Sequence, residues 1–195
     1  MKAGLMLAVN PDSEREKNDF YATDSFAIVK MADKLKELGI SQKVWECACG
    51  NGCLSEPLKD LGYDVLSTDL IDRGYGQQED FLKSSRTWDG DIITNPPFKD
   101  AIRFIEQSMN ILQPGRKAMF LLKIQFLETT KRAEIFKKYG LKRVVVNSER
   151  ICCAMNGDFD FYFKKKGNRY VGGTQLYAWY VFEKDYIGDA VIDFV

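Results

Sequence analysis

Four residues in the stretch 91–98, "DIITNPPF", have types and spacing that could do chemistry: Asn95, Pro96, Pro97 and Phe98. They follow a short β-branched run and stop it abruptly. The two prolines have no backbone N–H and fix φ, so carbonyls here can point into a cleft instead of being consumed by a ladder or a helix. The Asn95 side-chain oxygen adds another acceptor. Acceptors converging beside the face of Phe98 suit a planar ring with an exocyclic amino group, which donates two hydrogens while the ring stacks. As a bare tetrapeptide, the motif reads equally well as a turn with a core Phe.

Two other stretches carry chemistry. In "ECACGNG", residues 46–52, Gly50 and Gly52 follow a strand and precede a helix. They would let the backbone turn sharply and approach a ligand closely, with the next helix's N-terminus facing it. The G-x-G-x-x-G fingerprint is incomplete, because position 55 is Ser. Asp69, 23 residues after Glu46, ends the next strand, where an acidic residue can hydrogen-bond the two hydroxyls of a ribose. By itself it could equally cap whatever follows. The pair favours a nucleoside-bearing cofactor with no need for pyrophosphate, and S-adenosylmethionine meets that description better than NAD.

The elements that must position these residues alternate along the chain. "KVWEC", "YDVLSTDL", "DGDIITNPPF", "KAMFLLKI", "LKRVVVN" and "TQLYAWYVFEK" read as strands. Phe26, Val29, Leu35 and Leu38 sit near helical spacing, with Asp24 or Thr23 able to cap and Gly39 to stop the helix. Further helices are predicted from "ACGNGCL" through Leu61, over "KDAIRFIEQSMNIL", and over "FLETTKRAEIFKKYG". "DRGYGQQEDFLK" reads as loop with a short strand and a helical turn. Strands alternating with helices imply βαβ units, a mostly parallel sheet and helices on both faces. Ligands of such sheets lie at the carboxyl ends of the strands, near the topological switch point, and that rule selects all three stretches at once. A single domain is expected over 1–195, with 1–18 as an N-terminal extension and 147–173 as a variable segment containing a hairpin with a basic tip.

Composition narrows the partners. With 28 basic and 28 acidic residues, a polyanion must be met by a local patch and not by the field of the whole protein. No apolar run approaches the roughly 20 residues of a membrane span, and "GLMLAV" is too short for a signal peptide, so a cytoplasmic location is expected. Five cysteines without a paired C-x-x-C, and no His, read as reduced, buried thiols, and no metal is expected.

In their order, "ACGNG", Asp69 and Asn95-Pro96-Pro97-Phe98 resemble the motifs of class I S-adenosylmethionine-dependent methyltransferases, most closely the DNA adenine (N6) methyltransferases. The resemblance runs over about residues 19–145 and, more loosely, "YAWYVF". It implies a Rossmann-like α/β sheet, mostly parallel, with an antiparallel last strand. It implies methyl transfer to adenine in DNA, with Asn95, Pro96, Pro97 and Phe98 holding the target amino group and the extruded base. For the cofactor it implies Glu46, Ala48, Cys49, Gly50, Asn51 and Gly52 at the first turn, Asp69 and Leu70 at the second, and Asn95 shared with the substrate. "FYATDS" resembles the element that meets the methionine end, through Tyr21 and Thr23. "EDFL" resembles the adenine-contacting element, through Asp80 and Phe81.

The chain departs from the pattern at Cys47 and Asp24, where the family usually has Pro. Only 42 residues separate Gly52 from Asn95, too few for a target-recognition domain. Readout of DNA would then come from 147–173, where Lys164, Lys165, Lys166 and Arg169 interleave with Phe161, Phe163 and Tyr170. The same tip reads equally as an ordinary solvated hairpin. RNA or a protein glutamine amide, which present a similar planar amino group, are alternative substrates. A catalytically idle module that binds nucleic acid or a partner is the alternative of another class.

Overall fold

The structure is a computed structural model that describes residues 20–167 and 169–195. The expected extension at 1–18 lies outside the described residues. An eight-stranded sheet forms the centre, in the order β12-β7-β11-β6-β5-β2-β3-β4. Its strands are β2 (Lys43–Glu46), β3 (Asp64–Asp69), β4 (Gln77–Gln78), β5 (Asp91–Thr94), β6 (Lys117–Lys123), β7 (Leu141–Val146), β11 (Tyr177–Glu183) and β12 (Val191–Phe194). All are parallel except β11, which is inserted antiparallel between β6 and β7. The chain runs outward from β2 to β4 and returns on the other side of β2 as β5. The switch point therefore lies between Glu46 and Thr94, directly below the two main motifs.

Period-two alternation divides the sheet into two faces. Trp45, Ile92, Phe120, Tyr180 and Phe182 meet α4 (Ala101–Ile111) and α5 (Thr130–Lys138) on one face. Val44, Ile93, Met119, Leu121, Trp179 and Val181 meet α1 (Phe26–Val29), α2 (Ala32–Glu37) and α3 (Ser55–Asp60) on the other. Helices thus cover both faces, as the sequence predicts.

Three features differ from the sequence reading. The first helix is divided at Lys30 and Met31, where Met31 N–H turns to the carbonyl of Ile28 at 2.9 Å. Ile28, Met31 and Leu35, at helical spacing, remain fully buried across the break. A further strand, β12, follows the antiparallel one; Asp193 anchors it through Lys34 at 2.7 Å and Arg143 at 2.8 Å. The segment 147–173 also contains more order than expected: β8 (Cys153–Met155), a helical turn α6 (Phe159–Tyr162), and the hairpin β9 (Lys164–Lys166) with β10 (Arg169–Val171). β8 pairs antiparallel with β1 (Tyr21–Thr23), so the stretch before the sheet and the segment between β7 and β11 form one ribbon, which carries Thr23 to Asn95.

Candidate active site

The first turn is built from below by a buried carboxyl. Glu46 ends β2 at 2% exposure, and Ser55, the first residue of α3, donates its hydroxyl to it. Ser55 and Ser67 on β3 share a hydrogen bond of 2.7 Å. Burial, partly offset by the Ser55 hydrogen bond and reinforced by the Asp69 charge, raises the Glu46 carboxyl to about 8. Ser55 therefore has a task that the third fingerprint glycine could not perform: it satisfies the acid under the turn. Glu46 thus supports the turn from below.

Above it, Cys49 N–H donates to the Thr68 carbonyl at 2.9 Å and Gly52 N–H to the Cys49 carbonyl at 2.8 Å. Gly50 and Gly52 have φ of +55° and +85°. A Cβ on Gly50 would meet the Phe20 ring at 2.1 Å, and one on Gly52 the Tyr75 ring at 2.5 Å. Only glycine satisfies both the backbone and these rings. The Arg73 guanidinium lies over Phe20, 4.6 Å from its centroid. Ala48 is half-buried and Asn51 exposed.

Asp69 joins the first two turns. One of its oxygens accepts from Gly50 N–H at 2.8 Å, the other from Ile71 N–H at 3.0 Å. Each oxygen keeps a further lone pair, and the residue is half-buried beside the exposed Leu70. Asp80 is turned to a local task, accepting from Leu82 N–H at 3.1 Å and pairing with Lys83 at 2.9 Å. Phe81 lies in the core at 2% exposure, edge-on to Trp45 and stacked on Phe104. Its ring is packed in the core, while its backbone stays at the end of the segment that follows β4.

Asn95 stands across the switch point. Its Nδ2 donates to Thr23 Oγ1 at 2.8 Å, which fixes the amide with its oxygen away from Thr23. That oxygen is buried and meets no donor among the described residues. The Pro97 carbonyl accepts from Asp100 N–H at 2.9 Å, while that of the buried Pro96 accepts no backbone hydrogen bond among the described residues. The buried Asn95 oxygen is thus left unspent at a strand end, a costly arrangement unless a donor arrives.

Phe98 is half-buried in an aromatic group. Tyr177 stacks on it with centroids 6.1 Å apart, Tyr21 approaches to 6.3 Å, and Lys123 Nζ lies over the ring at 5.3 Å. Tyr177 and Lys123 are register partners across β11 and β6. Burial and the neighbouring Cys153 thiol push the Tyr177 phenol far up. Burial also raises Cys49 and Cys153 to about 12, so both remain thiols at neutral pH. No group of three His, Cys, Asp or Glu side chains suited to a metal occurs among the described residues. No helix among them is long and apolar enough to cross a membrane.

No protein-family model and no curated protein sequence matches the chain. Solved structures do. A protein from Listeria monocytogenes classed as a class I S-adenosylmethionine-dependent methyltransferase superposes at a TM-score of 0.57 and 16% identity, over 88% of this chain and 64% of its own. The chain has the fold of these methyltransferases. It spans less than two thirds of the Listeria protein. A protein from Lactococcus lactis classed as a hemolysin gives 0.58 at 13% identity, over 87% of this chain and 94% of its own. The type IIG restriction endonuclease BpuSI gives 0.56 at 12% identity, over 90% of this chain and 27% of its own. Names this varied on one fold leave the substrate to be argued from the site.

Within the methyltransferase fold, the residues present suit a nucleoside-bearing group: spare acceptors on Asp69, apolar rings at Phe20 and Tyr75, and the orphaned oxygen of Asn95 at the far side. Ser55, Phe20, Tyr75, Lys123 and Tyr177 were not singled out from sequence. Ser55 alone had a signal, as the break in the fingerprint. The basic tip divides: Lys164, Lys165 and Lys166 are exposed, whereas Arg169 is ion-paired with Glu149 and lies over Phe26 at 5.2 Å.

Proposed function

We propose that the protein transfers a methyl group from S-adenosylmethionine to the exocyclic amino nitrogen of adenine in DNA. The observation that carries this reading is the Asn95 oxygen, buried, without a donor among the described residues, and held in direction by Thr23. When bound, S-adenosylmethionine supplies an electrophilic methyl on a sulfonium and leaves as a neutral thioether. Asp69 would accept from the ribose hydroxyls, the Gly50–Gly52 turn and Leu70 would flank the nucleoside, and Tyr21 and Thr23 would meet the methionine end.

The amino nitrogen of adenine is a poor nucleophile while its lone pair is delocalised into the ring. Asn95 Oδ1 and the Pro96 carbonyl would accept its two hydrogens and stabilise the positive charge that develops as the nitrogen is methylated. By analogy with a single oxyanion-hole donor, the Asn95 contact is worth about 3–4 kcal/mol in the transition state. Phe98, backed by Tyr177, would hold the extruded base at reacting distance. Once methylated, the nitrogen is acidic enough to release its proton to solvent, so the chain needs no imidazole base.

The test is methylation of unmodified DNA by the purified protein with labelled S-adenosylmethionine, followed by nucleoside mass spectrometry. N6-methyladenine is the expected product. RNA and a glutamine-containing peptide run in parallel; label in either of these and none in DNA would overturn the adenine-in-DNA reading.

A further inference from the structure

The segment that joins β7 to β11 presents two aromatic side chains to solvent. In α6, Phe159 points inward and stacks on Tyr170 at 4.8 Å, while Phe161 is 76% exposed and Tyr162 is exposed beside it. The support beneath these two rings is specific. Asp158 accepts from Phe161 N–H at 3.2 Å, Tyr170 donates its hydroxyl to Asp160 at 3.2 Å, and Tyr170 N–H donates to Asp24 at 3.1 Å. Asp24, the residue that departs from the family pattern, thereby ties this segment to the start of α1, where its other oxygen accepts from Phe26 N–H at 3.1 Å.

A continuous path leads from these rings to the target pocket. The register of β1 and β8 sets Tyr21 beside Met155 and Thr23 beside Cys153 on one face of the ribbon. Thr23 holds Asn95, and Tyr21 reaches the Phe98 ring. At the other end, the Tyr162 hydroxyl donates to Met155 Sδ at 3.8 Å, and Phe161 lies edge-on to Tyr162 at 4.9 Å. Lys164, Lys165 and Lys166 follow immediately, exposed and without an ion pair among the described residues. The carboxylates nearest in the segment, Asp158 and Asp160, are engaged as described above.

We propose that the face formed by Met155, Phe161, Tyr162 and the three lysines docks an unpaired DNA strand beside the target base. The proposal rests on the adenine-in-DNA reading and narrows its substrate class. Exposed rings interleaved with cations suit a single strand, whose bases have free faces to stack and whose phosphates pass within reach of the lysines. In a duplex those faces are spent on neighbouring bases. An extruded base on Phe98 and an unpaired flank on Phe161 and Tyr162 would be successive stations of one strand.

The experiment compares a fluorescein-labelled 20-mer DNA, unpaired or annealed to its complement, by anisotropy and by methyl transfer from labelled S-adenosylmethionine. Wild type is expected to bind and methylate the unpaired strand at least tenfold better than the duplex. F161A should weaken binding of the unpaired strand roughly five- to a hundredfold, the loss of one stacked base, with duplex binding unchanged. Its exposed ring leaves the melting transition in place. Replacing Lys164, Lys165 and Lys166 together by Ala should flatten the salt slope of single-strand binding by about 2. Duplex binding equal to or tighter than single-strand binding, or an F161A effect within twofold, would overturn the proposal. Tight single-strand binding lost in F161A, with no methyl transfer by wild type, would instead overturn the adenine reading and leave the docking surface standing.

Discussion

Replacing Asn95 by Ala separates a catalytic role from a structural one, because the structure assigns opposite signs to the two. In the folded protein, the Asn95 Nδ2 bond to Thr23 contributes about 0.5–1.5 kcal/mol, while a buried oxygen without a donor costs about 1–3 kcal/mol. Asn95→Ala removes both, so stability should change by no more than about 1 kcal/mol, a melting-temperature shift within about 4 °C for a chain of this size. In the transition state only the acceptor counts, and its loss should cost roughly a hundred- to a thousandfold in turnover. The assay is initial-rate methyl transfer to DNA at saturating S-adenosylmethionine, with thermal denaturation and calorimetric titration of the cofactor on the same preparations. Activity within tenfold of wild type would refute the acceptor argument. A variant that loses activity, cofactor binding and ten degrees of melting temperature together would refute it equally, since Asn95 would then be a structural residue.

Thr23→Val should lower turnover at saturating S-adenosylmethionine about tenfold by freeing the Asn95 amide to rotate, and in a double-mutant cycle on that rate its effect should vanish once Asn95 is Ala. Asp69→Ala releases the Gly50 and Ile71 amides, and calorimetry should find cofactor affinity weakened roughly ten- to a hundredfold, as expected for losing a charged hydrogen-bond partner. Glu46 has its folded pKa raised to about 8, above the unfolded value, so the folded state holds a proton that the unfolded state has lost. Stability should therefore be highest below about pH 4.5 as far as this group is concerned, decline as pH rises toward 8, and level off above it. The full loss has a ceiling of about 5 kcal/mol. Glu46→Gln should abolish that decline in denaturant titrations between pH 5 and 8; a slope unchanged in the variant would show that the carboxyl is not the cause.

Much of the fold was legible because its determinants are local. The apolar run of "KVWEC" marked a strand, glycines at 39 and 62 marked helix ends, and Pro96 and Pro97 ended a strand, since each effect acts within a few residues of its cause. The order of the motifs placed three stretches at the carboxyl edge because a parallel sheet with right-handed crossovers leaves few other arrangements. Contacts between residues distant in the chain were not legible. Nothing near Asn95 indicates that Thr23, 72 positions earlier, holds its amide, and nothing in "EDFL" indicates that Phe81 is consumed by Trp45 and Phe104. Arg169 and Lys164 look alike as basic residues, yet Glu149 engages the first, while the second has no ion pair among the described residues. By itself, then, the chain determined which elements form and which residues could carry acceptors, rings and charge. Tertiary structure decided which of those groups were already spent on one another. A hydrogen-bonding group or ring face acts on a ligand only when no other part of the protein satisfies it, and that depends on what the fold brings within 3 to 6 Å.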